Sequence, residues 1–209
     1  YNFQSDFFYS QLSAEARAYY QQFAAACEQA ANYSVNYTGR VSTTSADGTK
    51  RSHYVIAKVP FTGRFTQDEA LAVATAFFYS NPQYFFNDTV ATGTGTDGTK
   101  YILFITYNNY QNGSVRTAAK QKLDDITNSW MKAINACPDA LAKETKIAEL
   151  ICANSKYHLA NDGSIVAEKA NQTIVGCLLD KQCVCAGFSK TFTYFCHKAG
   201  IDCTGVVSD

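Results

Sequence analysis

The sequence predicts an α+β protein, in which helices alternate with two β-hairpins before a final cysteine-rich region. Alternating β-branched and polar residues flank an Asp-Gly pair at Asp47 and again at Asp97. An Asp-Gly pair between two such runs is a strong hairpin signal. In the remaining long segments, apolar residues recur at spacings of three and four, the pattern of amphipathic helices. The predicted order is helix, hairpin, helix, hairpin, two helices and then the cysteine-rich region.

The composition is that of a globular protein. Of its 209 residues, 46% are hydrophobic and 14% aromatic, enough to bury one sizeable core or two small ones. The 18 basic and 18 acidic residues balance and form no block of like charge, so neither nucleic acid nor an anionic membrane is favoured as a partner. No long apolar run occurs, so no membrane span is expected. The chain begins at Tyr1 without a signal pattern, which suggests a mature secreted product or a trimmed chain.

The first helix is predicted to reach Ala31, with Ser13 as its N-cap and Glu15 in its first turn. Good helix formers fill the positions in between. Its aromatic residues could be read as a carbohydrate-binding face, but aromatic residues at helical spacing usually pack inside a protein. We therefore predict a packing role for them. The first hairpin is expected between Val35 and Pro60.

A capping box with Thr66 and Glu69 at its two ends opens the next predicted helix. This helix runs through Phe78, and the Asn-Pro pair that follows ends it. The second hairpin is predicted with strands near residues 89–94 and 101–107. The tetrapeptide Asp-Gly-Thr-Lys occurs in both hairpins, and we interpret it as shared turn chemistry rather than as a repeat.

Two further helices are predicted after residue 114. The first extends through Asn135, and the second starts at Asp139 and reaches Asn154. The change from hairpins to helices places a domain boundary near residue 110. Residues 1–110 are predicted to form an N-terminal α+β accessory domain of helices and two hairpins, and residues 111–209 a second domain.

The stretch Cys183–Phe192 contains the main candidate for chemistry. Apolar residues at helical spacing from Phe188 onward predict a helix, which places Cys185 in its first turn. The first amide N–H groups of a helix lack partners and carry partial positive charge, so they favour a thiolate, the reactive form of cysteine. Ala186 and Gly187 are expected to leave room for a substrate carbonyl. A backbone N–H at this turn would stabilise the oxyanion formed by thiolate attack.

These residues resemble a known family over the range Lys146–Val207. The core of the transglutaminase-like superfamily, papain-related cysteine enzymes, contains four segments that match in order: Ile147 to Tyr157, Gly176-Cys-Leu178, Val184-Cys-Ala-Gly-Phe-Ser189 and Gly200-Ile-Asp-Cys203. The family's nucleophile maps onto Cys185. The resemblance implies a papain/transglutaminase-like core, in which the helix bearing the cysteine packs on an antiparallel sheet.

A second segment, Tyr79–Phe86, resembles one that precedes the core in secreted bacterial members of the family. The same segment can also be interpreted as an aromatic cluster that ends a helix, and this interpretation is compatible with the resemblance. The resemblance therefore implies a secreted or cell-surface bacterial protein.

The resemblance covers only the nucleophile half of the core. The family's general base His and its orienting Asp would lie beyond Asp209, so we expect a core that is truncated after that half. A strand beginning at Asp202 would then present an unpaired edge near Val206. A companion C-terminal segment or a domain swap is the expected means of completing such a core.

None of the three histidines replaces the missing base in a recognisable motif. His197 lies twelve residues after Cys185 on the same predicted helix, about 18 Å away at about 1.5 Å per residue, which excludes it. Geometry excludes neither His53 nor His158, but a general base needs hydrogen-bond contact with the thiol, and a lone His is more often a surface or core residue.

Gln172 is the candidate for a second oxyanion donor, because related cores often place a polar residue there. A capping role for Gln172 is equally supported. The eight cysteines include no C-x-x-C spacing, so neither a metal nor another cofactor is expected. Disulfides are neither assigned nor excluded.

The resemblance implies a cysteine enzyme that acts on peptide or glutamine amide bonds through a thioester on Cys185. Its partner would be a protein or peptide substrate. Hydrolysis, as in a protease or amidase, is favoured over cross-linking, since cross-linking needs a second-substrate site that the sequence does not display. The alternative is a catalytically incomplete surface or binding module that retains the scaffold.

Overall fold

The computed structural model describes residues 7–31, 39–44, 48, 50–62, 64–166 and 170–205. It shows an α+β protein with an antiparallel sheet, as predicted. The chain divides into two compact units. The sheet unit comprises Phe8–Phe78 and Phe86–Ala118, and the cysteine unit comprises Tyr1–Phe7, Tyr79–Phe85 and Ala119–Asp209. The domain division at residue 110 stays a prediction.

Helices and hairpins follow one another in the predicted order. The elements are α1 (Phe7–Ser10), α2 (Ala14–Ala31), β1 (Gly39–Thr44), β2 (Lys50–Phe61), α3 (Gln67–Ser80), β3 (Asn87–Thr94), β4 (Lys100–Thr106), α4 (Gly113–Asn135), α5 (Ala140–Asn154), β5 (Lys156–Tyr157), α6 (Ile174–Leu178), β6 (Gln182–Cys183) and α7 (Cys185–Lys198). Single turns of 3₁₀ helix lie at Asn108–Tyr110 and Ala170–Gln172.

The four longer strands form one antiparallel sheet in the order β1-β2-β4-β3. The turn between β3 and β4 confirms the second predicted hairpin. The Asp97 carboxylate accepts the Thr99 N–H at 3.0 Å, and Gly98 takes a φ of 81°, which glycine adopts at little cost. The strands β1 and β2 also pair as predicted, whereas most of their turn and the predicted start at Val35 lie outside the described residues.

Aromatic side chains from α2 and α3 pack on the sheet. Tyr20, Phe23, Phe77 and Phe104 are each fully buried, and the Phe23 and Phe104 rings meet edge to face at 5.2 Å, a favoured aromatic geometry. The helical aromatic residues in this cluster therefore form core, as predicted, and not a carbohydrate-binding face.

Local side-chain contacts open three helices where the sequence predicts. The Ser13 hydroxyl accepts the Ala16 N–H at 3.1 Å, and the Asp139 carboxylate accepts the Ala142 N–H at 2.8 Å. Thr66 and Glu69 form the reciprocal contacts of a capping box. Each cap satisfies backbone donors that have no partner within the helix.

The cysteine unit is mainly helical around α7. The Trp130 ring of α4 stacks on Phe195 at 4.9 Å, and α7 also contacts α5 and α6. Among its described residues, the only strands of this unit are β5 and β6, which pair in parallel over two residues. The antiparallel sheet predicted beneath the cysteine helix is therefore not formed by the described part of this unit.

The helix α7 ends in a turn at Gly200. This glycine has a φ of 75°, and the Ile201 N–H donates to the Cys196 carbonyl at 2.9 Å, which satisfies a carbonyl left free at the helix end. Residues 201–205 form no strand, so the predicted strand from Asp202 is wrong over this range, because the backbone turns back onto α7 instead. The predicted edge at Val206 lies outside the described residues. Within the part of the chain that is described, no helix combines the length and apolar character needed to cross a membrane.

Candidate functional site

The candidate nucleophile stands where the sequence predicts it. Cys185 is the first residue of α7, and its side chain is exposed. The Val184 N–H donates to the Asn171 carbonyl at 3.1 Å, and the Val184 carbonyl accepts the Phe188 N–H, also at 3.1 Å. These two hydrogen bonds fix the backbone conformation at Val184. They therefore also fix the position of the Cys185 thiol at the first turn of α7.

Tyr157 is a site residue that our reasoning from the sequence did not select. Its hydroxyl oxygen accepts the backbone N–H of Cys185 at 3.2 Å, and its ring stacks on Phe188 at 6.0 Å with 15° between the planes. The pairing of β5 with β6 places Tyr157 opposite Cys183. The sequence signal for Tyr157 was its place at the end of the segment Ile147 to Tyr157, which resembles the family. However, 28 residues separate it from Cys185, and local patterns do not reveal such a contact.

Gly187 has a packing role in the structure, and its predicted contact with substrate stays a prediction. Gly187 is buried, and a Cβ there would lie 2.5 Å from the Asn171 carbonyl oxygen and 2.7 Å from the Cys183 Cβ. The missing side chain therefore allows α7 to approach the 3₁₀ turn Ala170–Gln172. Ala186 is half-buried, and its substrate contact stays a prediction.

We expect Gly187→Ala to lower the free energy of unfolding by about 2 kcal/mol. Alanine favours a helix over glycine by about 1 kcal/mol, but overpacking typically costs about 1–3 kcal/mol and sometimes more. The clash should dominate because a backbone oxygen and a Cβ cannot rotate away. Urea denaturation would measure the change.

Gly39→Ala is the matched control for this variant, because a Cβ at Gly39 would meet no atom within 4 Å. Its urea midpoint should stay near that of the wild type. A Gly187→Ala protein as stable as the Gly39→Ala protein would contradict the assigned close approach.

The 3₁₀ turn beside α7 carries the second candidate donor, Gln172. Its neighbour Asn171 is buried and holds the turn in place, because its side-chain amide donates to the Val166 carbonyl and its own carbonyl accepts from Val184. Gln172 is half-buried on this fixed turn, which packs against α7. Its role as an oxyanion donor stays a prediction.

The three histidines have different surroundings. The Asn171 amide nitrogen lies 2.8 Å from Nδ1 of His158. Since that nitrogen carries only hydrogens to donate, Nδ1 is the acceptor and the ring proton sits on Nε2. His197 hydrogen-bonds the Cys203 carbonyl through Nε2 at 2.6 Å, and burial lowers the pKa of His197. His53 belongs to β2 in the sheet unit.

A groove of about 460 Å³ runs beside α7 within the cysteine unit. Phe188, Ser189 and Phe192 line it from α7. They follow Cys185 by three, four and seven residues, so they lie on the same face of the helix as the thiol. The other wall consists of Ala148, Ile151 and Cys152 from α5, and the rest of the lining is Thr193, Cys203, Thr204 and Gly205. The exposed thiol is therefore one helical turn from an apolar groove.

All eight cysteines are free thiols. Cys177 and Cys183 are both fully buried, and the Ser155 hydroxyl lies 3.3 Å from the Cys177 sulfur. The interaction between the Cys177 and Cys183 thiols lowers the pKa of Cys177 and raises that of Cys183. Cys185 differs from both in being exposed, which makes it the thiol of this region that a substrate could reach.

The site therefore combines an exposed thiol at a helix N-terminus, a tyrosine hydroxyl on its backbone N–H and an apolar groove on the same helix face. Compared with known proteins, the sequence matches no protein-family model, and it matches none of the curated proteins searched.

Proposed function

We propose that Cys185 is the nucleophile of a transglutaminase-like, papain-related cysteine enzyme that acts on peptide or glutamine amide bonds. The observation that carries this proposal is the exposed thiol on the first residue of α7, with a groove along the same helix face. A thiol in this position can meet an acyl carbon from solvent, and the neighbouring groove offers space for the side chain beside that carbon.

In the proposed reaction, the Cys185 thiolate attacks the amide carbonyl and forms a tetrahedral oxyanion. Collapse of this species breaks the C–N bond, the amine leaves with a proton, and a thioester remains on Cys185. Water then releases the acid, as in a protease or amidase, or a second amine takes the acyl group. Hydrolysis is the favoured outcome, because cross-linking would need a second-substrate site as well.

The two groups near Cys185 that can donate to the oxyanion are the Tyr157 hydroxyl and the Gln172 side chain. The Cys185 backbone N–H lies at the start of the helix, where such donors have no partner within the helix. It donates to the Tyr157 hydroxyl oxygen at 3.2 Å, and that hydroxyl keeps its own proton for a developing oxyanion at the same turn. Gln172, on the adjacent 3₁₀ turn, is the proposed further donor.

The family resemblance supports the same assignment. Its matching segments fall on α6, on the start of α7 and on the turn that ends α7. The resemblance also carries the proposed papain-like core and the proposed secreted or cell-surface location. The resemblance implies that the general base His and the orienting Asp lie beyond Asp209, so these groups are proposed to come from a segment that completes the core.

A non-catalytic binding module is the second candidate. Two observations favour it: the Cys185 N–H already has the Tyr157 hydroxyl as acceptor, and Nδ1 of His158 is taken up by Asn171. In this case the groove beside α7 would bind a peptide without chemistry at the thiol.

Acyl trapping distinguishes the two candidates. The full-length protein is incubated with a glutamine-containing peptide, quenched in acid and digested, and mass spectrometry locates any acyl group. The proposal expects a thioester on Cys185, with free acid as the main product even when a primary alkylamine is present. Absence of acylation with a panel of peptide amides, together with alkylation of Cys185 no faster than that of exposed Cys152, would establish the binding module instead.

We expect Tyr157→Phe to slow acylation of Cys185 at least about tenfold, because removal of one oxyanion donor commonly costs about 100-fold or more. The ring and its stacking on Phe188 remain, so the thermal midpoint should change little. Single-turnover acylation rates and thermal melts measure the two effects. Tyr101→Phe, on β4, is the control and should leave the rate unchanged. A Tyr157→Phe protein that is as fast as the wild type, or faster, would show that the hydroxyl only blocks the amide.

A further inference from the structure

A second pair of thiols lies at the C-terminal end of α7. Cys196 is buried, at 1% exposure, and Cys203 is half-buried. The Thr193 hydroxyl lies 3.7 Å from the Cys203 sulfur, and Thr193 precedes Cys196 by almost one helical turn. The Cys203 side chain is therefore directed at α7.

Backbone contacts hold the segment that carries Cys203. The Ile201 N–H donates to the Cys196 carbonyl at 2.9 Å, and the His197 ring donates from Nε2 to the Cys203 carbonyl at 2.6 Å. Gly200 makes the turn between them with its positive φ. These contacts hold the Cys203 thiol beside the face of α7 that carries Thr193 and Cys196. The nearby Cys203 thiol adds to burial in raising the pKa of Cys196.

The two thiols differ in their access to solvent. Cys203 lines the groove beside α7, so a small disulfide in solution can reach its sulfur. Burial raises the pKa of Cys196 to about 12, and burial also hides that sulfur. Cys203 is thus the thiol that reacts first, and Cys196 is the one placed behind it.

We propose that Cys196 and Cys203 form a reversible disulfide site, which a small-molecule disulfide such as oxidised glutathione closes. The Cys203 thiolate attacks one glutathione sulfur and releases the first glutathione as its thiolate. The Cys196 thiolate then attacks the Cys203 sulfur, which forms the intramolecular bond and releases the second. The two thiol protons of the protein end on the two glutathione molecules. A dithiol reductant reverses both steps.

Closing this bond would fasten one wall of the groove, since Cys203, Thr204 and Gly205 all line it. The proposal is independent of any reaction at Cys185, because both thiols lie at the opposite end of α7. Its test therefore uses the covalent state of the protein and not its activity.

The experiment treats the folded protein with oxidised glutathione, blocks the remaining thiols with an alkylating agent under acidic denaturing conditions, and maps peptides without reduction. We expect most molecules to contain a Cys196–Cys203 link and to lose it on treatment with a dithiol. Cys185 and Cys152, both exposed, should carry separate glutathione adducts, each adding about 305 Da. Cys27 is buried and hydrogen-bonded to the Asn87 amide at 3.4 Å, so it should stay reduced. A reduced Cys27 would show that the protein remained folded during the treatment.

Two variants sharpen the result. In Cys196→Ala, the adduct on Cys203 should persist, because the resolving thiol is gone. In Cys152→Ala, which removes the other thiol of the groove, the Cys196–Cys203 link should form as in the wild type. A link between Cys152 and Cys203, or a wild-type Cys203 that stays free or glutathionylated, would overturn the proposal. If Cys196→Ala does not fold, the mapping of the wild type and of Cys152→Ala still decides the matter.

Discussion

Replacing Cys185 with alanine should lower amide hydrolysis at least about 1000-fold, because loss of a catalytic nucleophile typically removes the covalent route altogether. The thiol is exposed, and exposed substitutions usually change the free energy of unfolding by less than about 0.5 kcal/mol. The variant should therefore fold like the wild type and be inactive. Steady-state hydrolysis of a peptide amide and urea denaturation measure the two properties.

Cys152→Ala is the matched control, since Cys152 is also an exposed cysteine of the cysteine unit. Cys152 lies inside α5, in the wall of the groove, and not at a helix N-terminus. We therefore expect its loss to leave hydrolysis within a few-fold of the wild type. Hydrolysis that survives in Cys185→Ala would remove the proposed nucleophile. Equal losses in both variants would show that the groove matters and the identity of the thiol does not.

Replacing Arg116 with methionine should lower the free energy of unfolding by about 3 kcal/mol, the largest stability effect that we expect. Arg116 is fully buried on α4. Its guanidinium donates to the Ala30 carbonyl at 3.1 Å and to the Tyr110 carbonyl at 2.6 Å, and it lies over the Phe86 ring at 5.7 Å. Methionine retains much of the volume but offers no donor. A hydrogen bond from a charged donor contributes about 1.5–3 kcal/mol to stability, and the methionine variant loses both of these bonds.

Two further variants test the cause of this loss. Arg116→Lys keeps the charge, but a single ammonium group cannot reproduce the planar fork that reaches two carbonyls, so an intermediate loss is expected. Arg64→Met removes an exposed arginine, whose pair with Glu15 spans 2.9 Å between side chains that are 76% and 60% exposed. Such surface pairs contribute about 0–1 kcal/mol. Urea midpoints that rank Arg116→Met no lower than Arg64→Met would contradict the proposed role of the buried guanidinium.

Features that depend on neighbouring residues were predictable from the sequence. The caps at Ser13 and Asp139, the capping box at Thr66 and the turn at Asp97 each join groups no more than three residues apart. The position of Cys185 at the start of α7 follows from the same kind of local pattern. The exception is the predicted strand from Asp202, where the contacts of the segment with α7 decided its course.

Contacts between residues far apart in the chain were not predictable in this way. Tyr157 reaches the Cys185 amide across 28 residues, and Arg116 reaches the Ala30 carbonyl across 86. The close approach of Gly187 to Asn171 and Cys183 is a third contact that no local pattern predicted. Hydrophobic periodicity and turn chemistry specify which face of an element is apolar, but they do not specify its partner.

The sequence by itself determined the helices, the hairpins and the placement of one cysteine at a helix N-terminus, because short-range hydrogen bonds and hydrophobic spacing decide these features. Only the tertiary structure decided which groups surround that cysteine and which thiols lie in pairs. The physical reason is that such contacts form when distant segments pack together, and their distances depend on the whole arrangement of the unit and not on any local pattern.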